Sequence, residues 1–238
     1  MSGGPEVTIL ESSASLTEVA ESAIFDAIVT TLKKRPTCSV ALAGGNTPRA
    51  IYQALVKRDA KSRLHPLASV EFYFGDERCV PPEHADSNYK MAREALGPEA
   101  KIHRVEAERP DRDAAARDYE RHLPAELDIV LLGIGEDGHT ASLFPGSPAL
   151  DERTRRVVTI GGAPKPPPDR ITITPPVIEK ARQIVMIASG AGKADAVKRA
   201  LEGAWNPRET PSQIARRGMW ILDAPAAAKL ATPPTSRR

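Results

Sequence analysis

Short apolar runs alternate along the chain with stretches whose apolar positions recur every three to four residues, the signatures of buried strands and amphipathic helices. Val7 to Leu10 reads as a first strand. Leu16, Val19, Ala20, Ala23, Ile24, Ala27, Ile28 and Leu32 then repeat with helical period, behind a capping-box pattern of Ser15 with Glu18. Cys38 to Ala43 is the next strand. Thr47-Pro48 after it supplies an N-cap and a first-turn proline, so the spacing predicts a helix from that point. Val70 to Phe74 is a further strand, followed by a long polar loop and a helix from Ser87 to Leu96, stopped by Gly97-Pro98. A helix from Asp111 to His122 and a strand from Ile129 to Leu132 complete this part.

The alternation continues to the end of the chain. Val157 to Ile160 and Arg170 to Thr174 are strand-like, while Pro164 to Pro168 between them is a rigid connection that cannot be a central strand. Thr174-Pro175 marks a second cap-plus-proline helix start. Ile184 to Ala188 is a strand, Ser189 to Gly192 a turn and Lys193 to Leu201 a helix. Met219 to Leu222 and Pro225 to Leu230 give a last strand and helix. No repeat and no clean break interrupts the series. It predicts an α/β fold: a doubly wound, mostly parallel sheet with helices on both faces, Rossmann-like, with ligands at the carboxyl ends of the strands. Residues 1–231 are expected to form one such domain and residues 232–238 a disordered tail.

Composition narrows the function classes. The chain of 238 residues is long enough for a sizeable core, and 33 Lys plus Arg against 31 Asp plus Glu leave a net charge of +2, without a nucleic-acid footprint. No apolar run approaches bilayer length, and the N-terminus has no basic region followed by an apolar one. A cytoplasmic protein with no membrane or nucleic-acid partner is expected. Cys38 and Cys79 have neither metal nor redox spacing, so Cys38 reads as core and Cys79 as a bystander. His65, His84, His103 and His122 lie in polar contexts that suggest only surface.

Three polar loops follow apolar strands, and this fold would gather them at one crevice. In Ala43-Gly44-Gly45-Asn46-Thr47-Pro48-Arg49, paired glycines before a helix start offer free N–H groups and a positive dipole end, which favour a phosphate. In Phe74-Gly75-Asp76-Glu77-Arg78-Cys79-Val80-Pro81, Arg78 is placed to clamp a phosphate or carboxylate and Asp76 to accept from sugar hydroxyls; a structural ion pair is the alternative. The third loop carries Asp137 and His139 between glycines, where an imidazole suits proton transfer near neutral pH. Arg170 at a strand start and Lys193 at a helix start are further phosphate candidates. Gly133-x-Gly135-x-x-Gly138 also matches the dinucleotide fingerprint letter for letter. Pro145-Gly146 cuts off the helix that fingerprint requires, and Asp151 and Glu152 sit in a charged run, so no nicotinamide or flavin is expected.

Together these motifs resemble the 6-phosphogluconolactonases, in the bacterial-type group related to glucosamine-6-phosphate deaminase. The matching residues are Gly44 to Pro48, Gly75 to Pro81 with Ser87-Asn88-Tyr89, Gly133 to Gly146, Arg170-Ile171-Thr172 and Gly192-Lys193-Ala194, in the family's order. Asn46 stands where that family commonly has serine. The resemblance implies hydrolysis of 6-phospho-D-glucono-1,5-lactone without metal or organic cofactor, with His139 as base and Asp137 orienting it. Phosphate would then fall to Gly44, Gly45, Asn46, Thr47, Arg78, Arg170 and Lys193, and Arg78 is also placed for the oxyanion. In the related deaminases the turn continues Ile-Ala-Phe-Asn-Glu-Pro, and the glutamate assists ring opening; here Phe144 takes that place. A deaminase-isomerase and a non-enzymatic sugar-phosphate sensor are the alternatives.

Overall fold

The structure is a computed structural model and describes residues 5–231. The expected tail, 232–238, lies outside the described residues. The first half of the chain folds as β1 (Glu6–Leu10), α1 (Ser13–Leu32), β2 (Cys38–Leu42), α2 (Asn46–Asp59), β3 (Val70–Phe74), β4 (Asp76–Arg78), α3 (Asn88–Leu96), β5 (Lys101–Ile102) and α4 (Arg112–His122). The second half adds β6 (Ile129–Gly133), β7 (Val157–Ile160), β8 (Arg170–Ile173), α5 (Pro175–Lys180), β9 (Gln183–Ala188), α6 (Ala194–Glu202), β10 (Met219–Asp223) and α7 (Ala224–Ala227).

Seven strands pair in parallel in the order β1-β10-β9-β6-β2-β3-β5, flanked by helices. Every residue of β2 and the first four of β6 are buried, which is why these segments read as unbroken apolar runs rather than alternating ones. From β2 the chain winds outward through β3 to β5, whereas β6, β9 and β10 lie on the other side. The order reverses between β2 and β6, and such a switch point opens a crevice at the strands' carboxyl ends.

A second, antiparallel sheet has the order β4-β8-β7. The apolar pattern finds β7 and β8 but not their departure from the main sheet. It misses β4 altogether, because Asp-Glu-Arg carries no apolar signal and becomes a strand only by pairing with β8. Two helix starts also differ from expectation. Ser12, extended at φ −141°, caps α1 by accepting from the Ser15 N–H, so Ser15 lies inside the helix. The second helix begins at Asn46 with Gly45 as its cap, ahead of the Thr47-Pro48 pair. Thr174 and Pro175 open α5 as predicted.

Candidate active site

A crevice of about 290 Å³ lies at the switch point, lined by the ends of β2 and β6, by β4 and β8 and by the turn before α6. Two buried tyrosines hold its floor. Tyr52 accepts from the Ala43 N–H at 2.9 Å and donates to its carbonyl at 2.8 Å, which fastens the chain leaving β2. Tyr119 treats Phe74, the last residue of β3, in the same way, at 2.6 and 3.0 Å.

His139 projects from the turn after β6. Its Nδ1 lies 2.6 Å from Asp137 Oδ1, and the same carboxylate accepts from the His139 backbone N–H at 3.2 Å. Burial opposes the Asp137 charge, but the neighbouring imidazole and these hydrogen bonds outweigh it and hold the carboxyl below its ordinary pKa. An ionised Asp137 makes Nδ1 the donor, so Nε2 is the nitrogen left to take a proton. The Phe144 ring packs 4.6 Å from the imidazole, centroid to centroid. Burial is the largest influence on His139 and lowers its pKa from 6.5; the attraction of Asp137 and Asp76 recovers only part of that.

Gly135 closes the turn, donating to the His139 carbonyl at 2.8 Å and accepting from the Gly138 N–H at 3.0 Å. A Cβ at Gly135 would lie 2.0 Å from His139 Nδ1. The middle glycine of the apparent dinucleotide fingerprint therefore makes room for an imidazole, and no helix opens at the end of that fingerprint.

Asp76, 7% exposed, accepts from Ser142 Oγ at 2.6 Å and lies 3.8 Å from Arg170 Nη1. Ala141, at φ 48°, bends the chain so that Ser142 reaches both Asp76 and Thr172. A left-handed conformation costs a non-glycine residue about 1–2 kcal/mol, so this bend is held by the contacts it makes. Next to Asp76, Glu77 turns away from the crevice and accepts from the backbone N–H groups of Arg78, Asn88 and Tyr89. Burial pushes its carboxyl up to about 7, against those hydrogen bonds. It fixes the start of α3. From there Asn88 reaches back to Asp76 and lies so close to Gly44 that a Cβ there would meet Asn88 Oδ1 at 2.1 Å.

Four cations line the crevice: Arg78, Arg170, Lys193 and Lys165. Arg78 donates from Nη1 to the Asp86 carbonyl, and its buried Nε has no partner among the described residues. Arg170, 4% exposed, spends Nε and Nη2 on the carbonyls of Pro167, Lys165 and Pro166. Lys193 is half-buried at the start of α6; burial lowers its pKa while Glu136 works to raise it.

The sequence matches the family of glucosamine-6-phosphate isomerases and 6-phosphogluconolactonases over residues 11–221. A 6-phosphogluconolactonase of Mycobacterium tuberculosis is 37% identical across 94% of this chain and 98% of its own length. That settles the family. The chain belongs to the glucosamine-6-phosphate isomerase/6-phosphogluconolactonase family. Within it the chain is a lactone hydrolase of the 6-phosphogluconolactonase branch. The solved 6-phosphogluconolactonase of Trypanosoma cruzi superposes with a TM-score of 0.84 at 32% identity, over 98% of this chain and 99% of that one. A monomeric glucosamine-6-phosphate deaminase gives a TM-score of 0.80 at 22% identity, over 94% and 100%, a likeness of fold alone.

This lactonase-branch fold brings Gly44, Asp76, Arg78, His139, Arg170 and Lys193 to one crevice, with Asp137 directly behind His139. Gly45 and Asn46 line an adjoining depression that shares Arg78. Thr47 lines neither, because α2 starts early and places it in the first helical turn. Sequence reasoning missed Lys165, whose only signal was a lysine among exposed prolines, and Ser142, whose partner Asp76 is 66 residues away. His103 is more than a surface residue: it stacks on Tyr73 and pairs with Glu71 at 2.6 Å, away from the crevice. Among the described residues no group of three or more His, Cys, Asp or Glu is arranged to hold a metal ion, and no helix is long and apolar enough to cross a membrane.

Proposed function

We propose that the chain hydrolyses 6-phospho-D-glucono-1,5-lactone to 6-phospho-D-gluconate in the oxidative pentose phosphate pathway, with His139 as general base. The observation that carries this reading is the half-buried Asp137–His139 pair in a crevice rich in cations. Nε2 takes a proton from water as the water oxygen bonds to the lactone carbonyl carbon. When the tetrahedral intermediate collapses, the ring C–O bond breaks and the imidazolium returns the proton to the leaving oxygen. Asp137 keeps the reactive tautomer and offsets the positive charge of the imidazolium. Phe144 argues against the deaminase alternative: it is buried against His139 where a glutamate would be needed, and it cannot ionise.

Lys193, the unpaired Nε of Arg78 and the Gly44–Gly45 backbone form the proposed phosphate cradle. Arg170, whose Nη1 lies 3.8 Å from Asp76, lines the same crevice. Charge-assisted hydrogen bonds contribute about 1.5–3 kcal/mol each. Glucono-1,5-lactone without phosphate loses several together and is expected to react at least about 10²-fold more slowly in kcat/KM. Initial rates on the two lactones, corrected for spontaneous opening, test this. Equal rates would rule out the phosphate cradle.

The acidic limb of kcat/KM follows from the His139 environment. Neutral imidazole is the active form, so activity falls as pH drops through its pKa. Burial lowers that pKa, and the limb is therefore expected below 6.5 rather than at or above it. A background-corrected profile with its acid midpoint above 6.5 would contradict a desolvated base.

A further inference from the structure

The hairpin between β7 and β8 ends in the proline-rich strap that carries Lys165. The strap closes on itself through the Ala163 N–H and the Pro168 carbonyl at 2.8 Å. The buried Arg170 side chain grips its carbonyls from beneath. Lys165 is thus fixed by its backbone while its side chain is exposed and lines the crevice. We propose that Lys165 is a catalytic residue whose ammonium meets the lactone carbonyl oxygen as that oxygen becomes an oxyanion. The inference rests on the lactonase reading above.

The other cations are less suited to this task. Arg78 is tied through Nη1 to Asp86, and Arg170 is engaged by the strap and by Asp76. Lys193 stands beside Glu136, whose carboxylate packs on Gly192. Lys165 and Lys193 both lack a carboxylate within ion-pairing distance among the described residues, but the charge of Lys165 acts on Asp137, His139 and Lys193, groups from two separate loops. An ammonium near the dyad complements the charges that form there. As water adds to the carbonyl carbon, its proton goes to Nε2 and the carbonyl π electrons move to oxygen, opposite Lys165. Collapse restores the double bond, breaks the ring C–O bond and leaves a carboxyl group that ionises beside the same ammonium. Lys165 stays protonated throughout.

The test compares wild type, Lys165→Met and Lys165→Arg on the phosphorylated lactone. All three keep the backbone carbonyl that Arg170 uses, and equal melting temperatures establish an intact fold. Lys165→Met should lose about 10²-fold in kcat, the usual effect of removing an oxyanion donor, while KM changes by less than about threefold. Lys165→Arg should recover most of that loss. Three charged groups act on His139: Asp137 from its own turn, Asp76 from β4 and Lys165 from the strap. Removing the one repelling cation should move the acid limb of the methionine variant to higher pH, a change that a merely structural strap would not produce. A raised KM with unchanged kcat would assign Lys165 to the phosphate and overturn the proposal, as would wild-type kinetics in the methionine variant. An inactive wild type would instead refute the lactonase reading itself.

Discussion

His139→Ala is expected to fold normally and to lose about 10²–10⁴ in kcat, the contribution of a positioned general base. The imidazole makes one side-chain hydrogen bond, to Asp137, and packs on Phe144. Its removal leaves an exposed-side gap at the crevice wall rather than a hole in the sheet. KM should change little, because the proton is transferred only on the way to the transition state. The measurement is 6-phosphogluconate formation with the spontaneous reaction subtracted, alongside circular dichroism to confirm the fold. Wild-type turnover in this variant would eliminate His139 as the base.

Gly135→Ala is expected to do nearly as much damage without touching a reactive atom. The added methyl would lie 2.0 Å from His139 Nδ1, 2.2 Å from Cε1 and 2.4 Å from Asp137 Oδ1. No carbon can share that space. The imidazole and carboxylate must both shift, and the orientation of the ring set by the turn is lost. Since the dyad acts as a unit, kcat should again fall by about 10²–10⁴, within the range for the missing base. Raising the pH will not restore it, because geometry and not protonation is at fault. Retention of more than about a tenth of wild-type kcat would mean that the turn relaxes around the methyl and that its observed shape is not required.

What could be read from the chain follows the reach of each interaction. The His139 site was legible because its parts are neighbours in sequence: Gly135, Asp137 and Phe144 all stand within one turn of chain. Strands β2, β6 and β9 were legible because burial on both faces leaves a continuous apolar run. Contacts made only by tertiary folding left no such trace. The Ser142–Asp76 bond joins polar residues 66 positions apart, and Tyr52 and Tyr119 look like ordinary helix residues until their hydroxyls are seen on Ala43 and Phe74. Likewise β4 is a strand because of β8, and Lys165 belongs to the crevice because Arg170 draws the strap inward.

The division between the two sheets also bears on how such an enzyme changes. The dyad stands at the carboxyl end of the parallel sheet, on a turn whose shape the Gly135 backbone bonds and the buried strand β6 fix. The strap crowns a separate antiparallel hairpin whose tip is solvent-exposed, so the side chains at its tip can change at little cost to stability while the carbonyls that hold Arg170 stay in place. The strap's exposed side chains other than Lys165 are thereby the part of the crevice wall most open to change. A designer seeking new lactones would vary the hairpin tip around Lys165 first and leave both Lys165 and the β6 turn alone.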